Sequence, residues 1–220
     1  MEVVLPVIGY LSLVTLIVAS PRIGPRRTRR QATAVAEALC GTYGFVAAPG
    51  VDHVLRVTTA PPFHYGSDHR FEDVVTGEIG GLPVTSATYV CRYNGSPHLY
   101  GVAAVTMPGP GVPERIEIRS EPVFESAWAI DAPPKGRART GRPDIDAAFE
   151  LYLPDRGEKA DGLLTEDSVS ALLHVSERPS LRVEGRQLLV WRRDGWSSPD
   201  ALIQAVTAAT GLADRMRLVG

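Results

Sequence analysis

The feature that most constrains this chain lies in its first thirty residues. Val3 to Ala19 is a run of seventeen residues without a charge, and five arginines, Arg22, Arg26, Arg27, Arg29 and Arg30, follow it directly. A helix over that run is about 25 Å long, the short end of what crosses a bilayer core of about 30 Å. Pro6 lies near its outer end, where a missing amide hydrogen costs least. A cleaved secretory signal would carry positive charge before the apolar run, and here only Met1 and Glu2 precede it. A buried core helix would ordinarily interrupt such a run with charged or strongly polar positions. Residues 1–21 therefore read as an uncleaved transmembrane anchor.

Basic residues close to a span stay on the cytoplasmic side. The arginines thus predict an N-terminus outside the cell and a cytoplasmic remainder, in a single-pass protein of the cell membrane. Residues 22–30 form a basic juxtamembrane segment placed to meet anionic lipid headgroups, each contact worth roughly 1 kcal/mol near the surface. Topology signalling alone also accounts for these arginines.

The whole chain carries −2, and five arginines against Glu2 in the first thirty residues leave residues 31–220 at −6. An acidic body argues against nucleic acid as a partner. The 190 residues after the basic segment suffice for one good-sized domain or two small ones. Cys40 and Cys91 are the only cysteines. In the cytoplasm they are expected reduced and buried, and with the orientation reversed they become a disulfide candidate.

Along the body, "QATAVAEALCGTYGF" repeats Ala34, Val35, Ala38 and Leu39 at helical spacing, with Gly41 as the expected cap, in a helix continuing out of the arginine stretch. Val54–Thr58 is a possible short strand. Residues 71–93 alternate with period two around Gly80-Gly81, which reads as a hairpin. "HLYGVAAVTMP" and the strictly alternating "ERIEIRS" read as further strands, with "EPVFESAW" as a possible fifth, and the short connections favour an antiparallel meander. "APPKGRARTGRP" (132–143) reads as a loop or linker whose basic residues could meet phosphate or lipid. Beyond it, "IDAAFELYLP" reads as a strand with Asp144 and Asp146 at its start. A helix follows with Thr165 as cap, then a hairpin turning at Glu184-Gly185. The last element is a helix capped by Ser198, with Leu202, Ile203, Val206, Ala209 and Leu212 on one face. The expected fold class is α+β: an N-terminal transmembrane helix, then a mainly antiparallel β-sheet domain with C-terminal helices. Residues 31–131 form its β-rich part and 144–220 its α+β part.

The stretch "FEDVVTGEIGGLPV" (71–84) with the later "YVCRY", and the tail from "FELY" through "ADGLLT", "LRVEGRQLLVW" and "ALIQAV" to "LADRM", resemble a group of uncharacterised bacterial proteins common in actinobacteria. That resemblance, over roughly residues 70–220, implies one or two N-terminal spans and a cytoplasmic β-rich domain. It brings no active-site residues.

No recognised catalytic pattern appears. His64, Asp68 and His69, with His53 upstream, are the one candidate metal or catalytic cluster, but a spacing of five in a turn-rich loop is not a usual ligand pattern. No G-x-S-x-G or P-loop is present, Cys91 sits mid-strand, and Cys40 near a helix C-terminus is poorly placed for a thiolate. No metal or cofactor is expected. Among the aromatics Trp128, Trp191 and Trp196, Trp196 beside a turn is the candidate for an interface. The sequence thus reads as a non-catalytic accessory or assembly subunit of an integral membrane protein complex, with a respiratory supercomplex as one conceivable host. An enzyme of unrecognised class with a histidine site, and a lipid- or envelope-sensing module, are the alternatives.

Overall fold

The computed structural model describes residues 28–50, 63, 66–120, 137–138, 143–152, 166–175 and 177–219. Helix α1 spans residues 28–42, so it does emerge from the arginine stretch. It buries Ala32, Val35 and Leu39, spaced to share one face. The cap differs from expectation. The amides of Tyr43 and Phe45 both donate to Leu39 O, at 3.0 and 3.2 Å, and the left-handed residue is Gly44 at φ +73°, not Gly41. The bond closing back from Phe45 needs two residues more than Gly41 allows.

Among the described residues nine strands form one sheet: β1 (Val46–Ala47), β2 (Ser67–Ile79), β3 (Leu82–Tyr93), β4 (Ser96–Thr106), β5 (Val112–Arg119), β6 (Arg137–Ala138), β7 (Glu150–Tyr152), β8 (Ser180–Gly185) and β9 (Gln187–Arg193). Three helices complete the described fold: α2 (Pro143–Ala148), α3 (Glu166–His174) and α4 (Pro199–Val219). The strand order is β1-β2-β3-β4-β9-β8-β5-β7-β6, with antiparallel ladders throughout. The meander expectation holds only for β2-β3-β4. The C-terminal hairpin β8-β9 inserts between β4 and β5, so strands from both halves of the body share one sheet. Adjacency in sequence could not announce this, because the partner of β4 is more than 80 residues away, with Ala103 opposite Val190.

Pro143–Ala148 is helical rather than extended, and the strand begins only at Glu150. Pro143 opens the helix, and Asp144 and Asp146 lie in its first turn, where carboxylates favour the positive end of the backbone dipole. Ser198 caps α4, its hydroxyl accepting from Ala201 N at 3.1 Å. The Thr165 cap, the possible strands at 54–58 and 121–128, and most of 132–143 lie outside the described residues.

Period-two alternation gives the sheet two unlike faces. One carries Val75, Val84, Val105, Ile116, Ile118, Leu181, Val183, Leu188 and Val190, covered by the apolar stripes of α1, α3 and α4, including Leu39, Leu172, Leu202, Val206, Ala209 and Leu212. The other carries a second apolar cluster of Ala87, Tyr89, Cys91, Tyr100, Val102, Ala104, Leu189 and Trp191, with Phe63 packed on Tyr89. Farther along that face the residues are charged. Among the described residues no helix is long and apolar enough to cross a membrane. The run Val3–Ala19, on which the anchor expectation rests, lies outside them, as do Arg22, Arg26 and Arg27.

Candidate functional site

The described structure brings polar chemistry together at three places: the seat of α1, a buried charge hub, and a groove between α3 and α4.

The seat of α1 is where the basic segment meets the domain. Arg29 Nη2 lies 2.8 Å from Glu72 Oε1, and Arg70 Nε lies 2.5 Å from the same oxygen. Thr33 Oγ1 bonds Asp73 at 3.2 Å, and Gln31 Nε2 donates to Ser197 O at 3.1 Å. Asp73 sits at a register shift in β2, at positive φ, and partial burial raises its pKa above the ordinary carboxylate value. Of the expected headgroup arginines, then, Arg29 is bonded to the domain itself, while Arg30 remains exposed.

Trp196 belongs to this seat, and its expected role as an interface residue needs correction. It is 4% exposed. The ring lies in the main core, over Gly101 of β4, and beside it is a cavity of about 10 Å³ lined by Ala32, Val35, Ser86 and Thr88. That is room for about one water molecule. The indole Nε1–H is buried without a hydrogen-bond partner and fits a donor to such a water. The partner of Trp196 is the chain's own first helix, because Gly101 leaves the space in which the ring lies beneath α1 instead of standing out from the turn.

The charge hub went unrecognised in the sequence. Alternation places Arg115, Glu117 and Arg119 on one face of β5, and register sets Arg182 of β8 opposite Glu117. Glu117 is 0% exposed and Arg182 1%. Glu117 Oε2 accepts from Arg115 Nη2 at 2.9 Å and Arg182 Nε at 3.1 Å, while Oε1 accepts from Arg119 Nε. Arg119 lies 4.9 Å over the Tyr152 ring and Arg182 5.4 Å over that of Trp191. Burial alone would push the Glu117 carboxyl up, but the charges of Arg182 and Arg119, with hydrogen bonds from Arg119 and Arg115, hold it below its ordinary value. The hub's sequence signal is "ERIEIRS", whose alternation sets Arg115, Glu117 and Arg119 on one side of a strand.

The groove has a volume of about 490 Å³ and runs between α3 and α4, with Ala171, Val175, Ile203, Ala208 and Leu212 along it and His174 and Arg215 at its rim.

The histidine cluster does not assemble from described residues. His53 and His64 lie outside them. Asp68 pairs with Arg92 at 3.5 Å, and His69 bonds Tyr89 Oη at 2.5 Å and Gly66 O at 3.0 Å. No group of three or more metal-ligating side chains occurs among the described residues. Both cysteines are free. Cys40 packs with the helices on one face of the sheet and Cys91 lies on the other, so the sheet itself separates the disulfide candidates. Burial pushes the Cys91 thiol up to about 11. A thiol-reactive maleimide is therefore expected to modify Cys40 in the folded protein and Cys91 only after denaturation, as read by peptide mass spectrometry. Equal rates at the two would contradict this packing.

No family model matches the chain, and no curated protein matches it in sequence. Its fold is similar to that of the crystal structure of the mycobacterial trehalose monomycolate transport factor A, TtfA. The TM-score is 0.59 at 15% identity, over 86% of this chain and 96% of that one. At that identity the likeness establishes a shared fold.

Proposed function

We propose that this chain is a non-catalytic accessory factor of a bacterial membrane protein complex, held at the inner face of the membrane by Val3–Ala19 with its β-domain in the cytoplasm. The observation that carries the reading is the pairing of an uncharged run and following arginines with a fold shared along most of its length with a protein named as a transport factor. The name of that neighbour, a trehalose monomycolate transport factor, favours a transport complex over a respiratory supercomplex as the host. Anchoring beside such a complex raises the effective concentration of a binding domain without any catalytic residue. The seat of α1 supports the reading mechanically: the helix that follows the basic segment is bonded to β2 and packed over Trp196, so an anchor there would hold the whole sheet.

The test is purification of the tagged full-length chain in mild detergent. It is expected to bring down integral membrane proteins of a transport complex, and a chain lacking residues 1–27 is expected to lose them and leave the membrane fraction. A full-length chain that purifies alone and monodisperse would remove the subunit reading.

A further inference from the structure

We infer that the groove between α3 and α4 is where a helix of the partner complex docks, a helix apolar along one stripe and carrying a carboxylate that meets His174 and Arg215. This rests on the accessory-subunit reading above for the existence of a partner, and adds to it the place and the chemistry of the contact.

Both walls of the groove are helices, and its volume is about 490 Å³. The backbone groups of each wall are bonded within their own helix. An extended peptide laid there would find no ladder to join, whereas a helix satisfies its own backbone. On α4 the residues Ile203, Thr207, Gly211 and Arg215 recur every four positions, so they form one ridge about 18 Å long. Ala171 and Val175 line the groove from α3. Ala171, Thr207 and Gly211 are exposed and short, which lets the axis of an incoming helix come close.

Gly211 has no role in the packing of the chain itself. It lies inside α4 (Pro199–Val219), has no left-handed φ, and a Cβ built on it would meet nothing within 4 Å. Glycine in a helix interior weakens the helix relative to alanine. What it provides here is bare backbone on the groove's ridge.

Charge says what kind of helix fits. Among the described residues that line the groove, the ionisable ones are His174 and Arg215, and no carboxylate is among them. Residues 31–220 as a whole carry −6. An acidic helix is thus attracted to this groove and repelled by the body around it, which fixes where it settles. His174 Nδ1 lies 2.6 Å from Ser170 O and donates to its own helix, so Nε2 is the ring nitrogen left to meet a partner. The apolar anchors of the occupant fall at spacings of three and four, the pattern by which helices are read in grooves.

The experiment places the photo-cross-linker p-benzoylphenylalanine in the tagged full-length chain, in its own cells, in place of Gln204 on one wall or Ala171 on the other, with exposed Glu78 as the control position. After irradiation the cross-linked peptide is sequenced by mass spectrometry. Positions 204 and 171 are expected to capture the same segment of one membrane-complex protein, at least tenfold above position 78. That segment is expected to show an apolar three-four stripe with an acidic residue beside it. Arg215→Glu should lower the yield several-fold. Gly211→Ala should lower it too, while raising the melting temperature by about 2–4 °C. Because stability and capture then move in opposite directions, a folding defect does not account for the loss. Adducts with lipid, with a second copy or with this chain alone, or a yield indifferent to Arg215→Glu and Gly211→Ala, would overturn the inference while co-purification of the complex leaves the subunit reading standing. A chain that purifies alone and captures nothing would overturn both.

Discussion

Replacing Glu117 by alanine is expected to destabilise the domain by about 3–5 kcal/mol, the cost of breaking a buried ion pair from one side only. Three guanidinium groups converge on that one carboxylate, and Arg182 among them is only 1% exposed. Without Glu117 these cations keep the cost of burial and lose the charge that compensates it. Urea denaturation should show the loss as a lower midpoint with little change in slope. Glu117→Gln keeps the shape but removes the charge and turns one acceptor oxygen into an amide donor facing a guanidinium, so it should recover little of the deficit.

The same residue gives a pH signature. Its pKa in the folded state is depressed, so its stabilising contribution is present above the unfolded carboxyl value of about 4.3 and is lost as pH falls through the lower folded value. Acid unfolding of the wild-type protein should be steeper in that window than that of Glu117→Gln. A variant as stable as wild type at neutral pH would show that the hub is dispensable.

The second large effect is expected at the seat of α1. Trp196→Ala should cost about 3–5 kcal/mol, because it empties the volume under the first helix. Gly101→Ala should also be costly with the indole in place, because a Cβ there would lie 2.6 Å from Trp196 Cδ1 and Nε1 and 3.0 Å from its backbone nitrogen. Combined, the two changes should cost less than their sum by about 0.5–3 kcal/mol, since the methyl then enters the space the ring has left. Strict additivity in that double-mutant cycle would mean that the two residues do not compete for one volume.

Local signals carried much of this fold. The alternation around Gly80-Gly81, the Ser198 cap and the stripe from Leu202 to Leu212 each report a neighbourhood of a few residues, and each element formed where its pattern lay. What could not be read was long-range. Nothing in "HLYGVAAVT" says that its second neighbour is "QLLVWRR", and nothing around Trp196 says that α1 will lie over it. The turn beside Trp196 suggested exposure, and tertiary packing decided otherwise. The hub was legible in half: alternation put Arg115, Glu117 and Arg119 on one side, but the fourth member arrives from a strand more than sixty residues on. Asp144 and Asp146 were misread because an acidic pair suits a strand start as well as a helix start, and Pro143 decided between them.

The most direct test of the central claim, that an N-terminal span holds this β-domain against the cytoplasmic face, is a pair of topology reporters fused after Gly220, one active only in the cytoplasm and one only outside. The account predicts signal from the cytoplasmic reporter alone, with the fusion in the membrane fraction. Signal from the external reporter alone, or a mature chain beginning beyond Ala19, would contradict it.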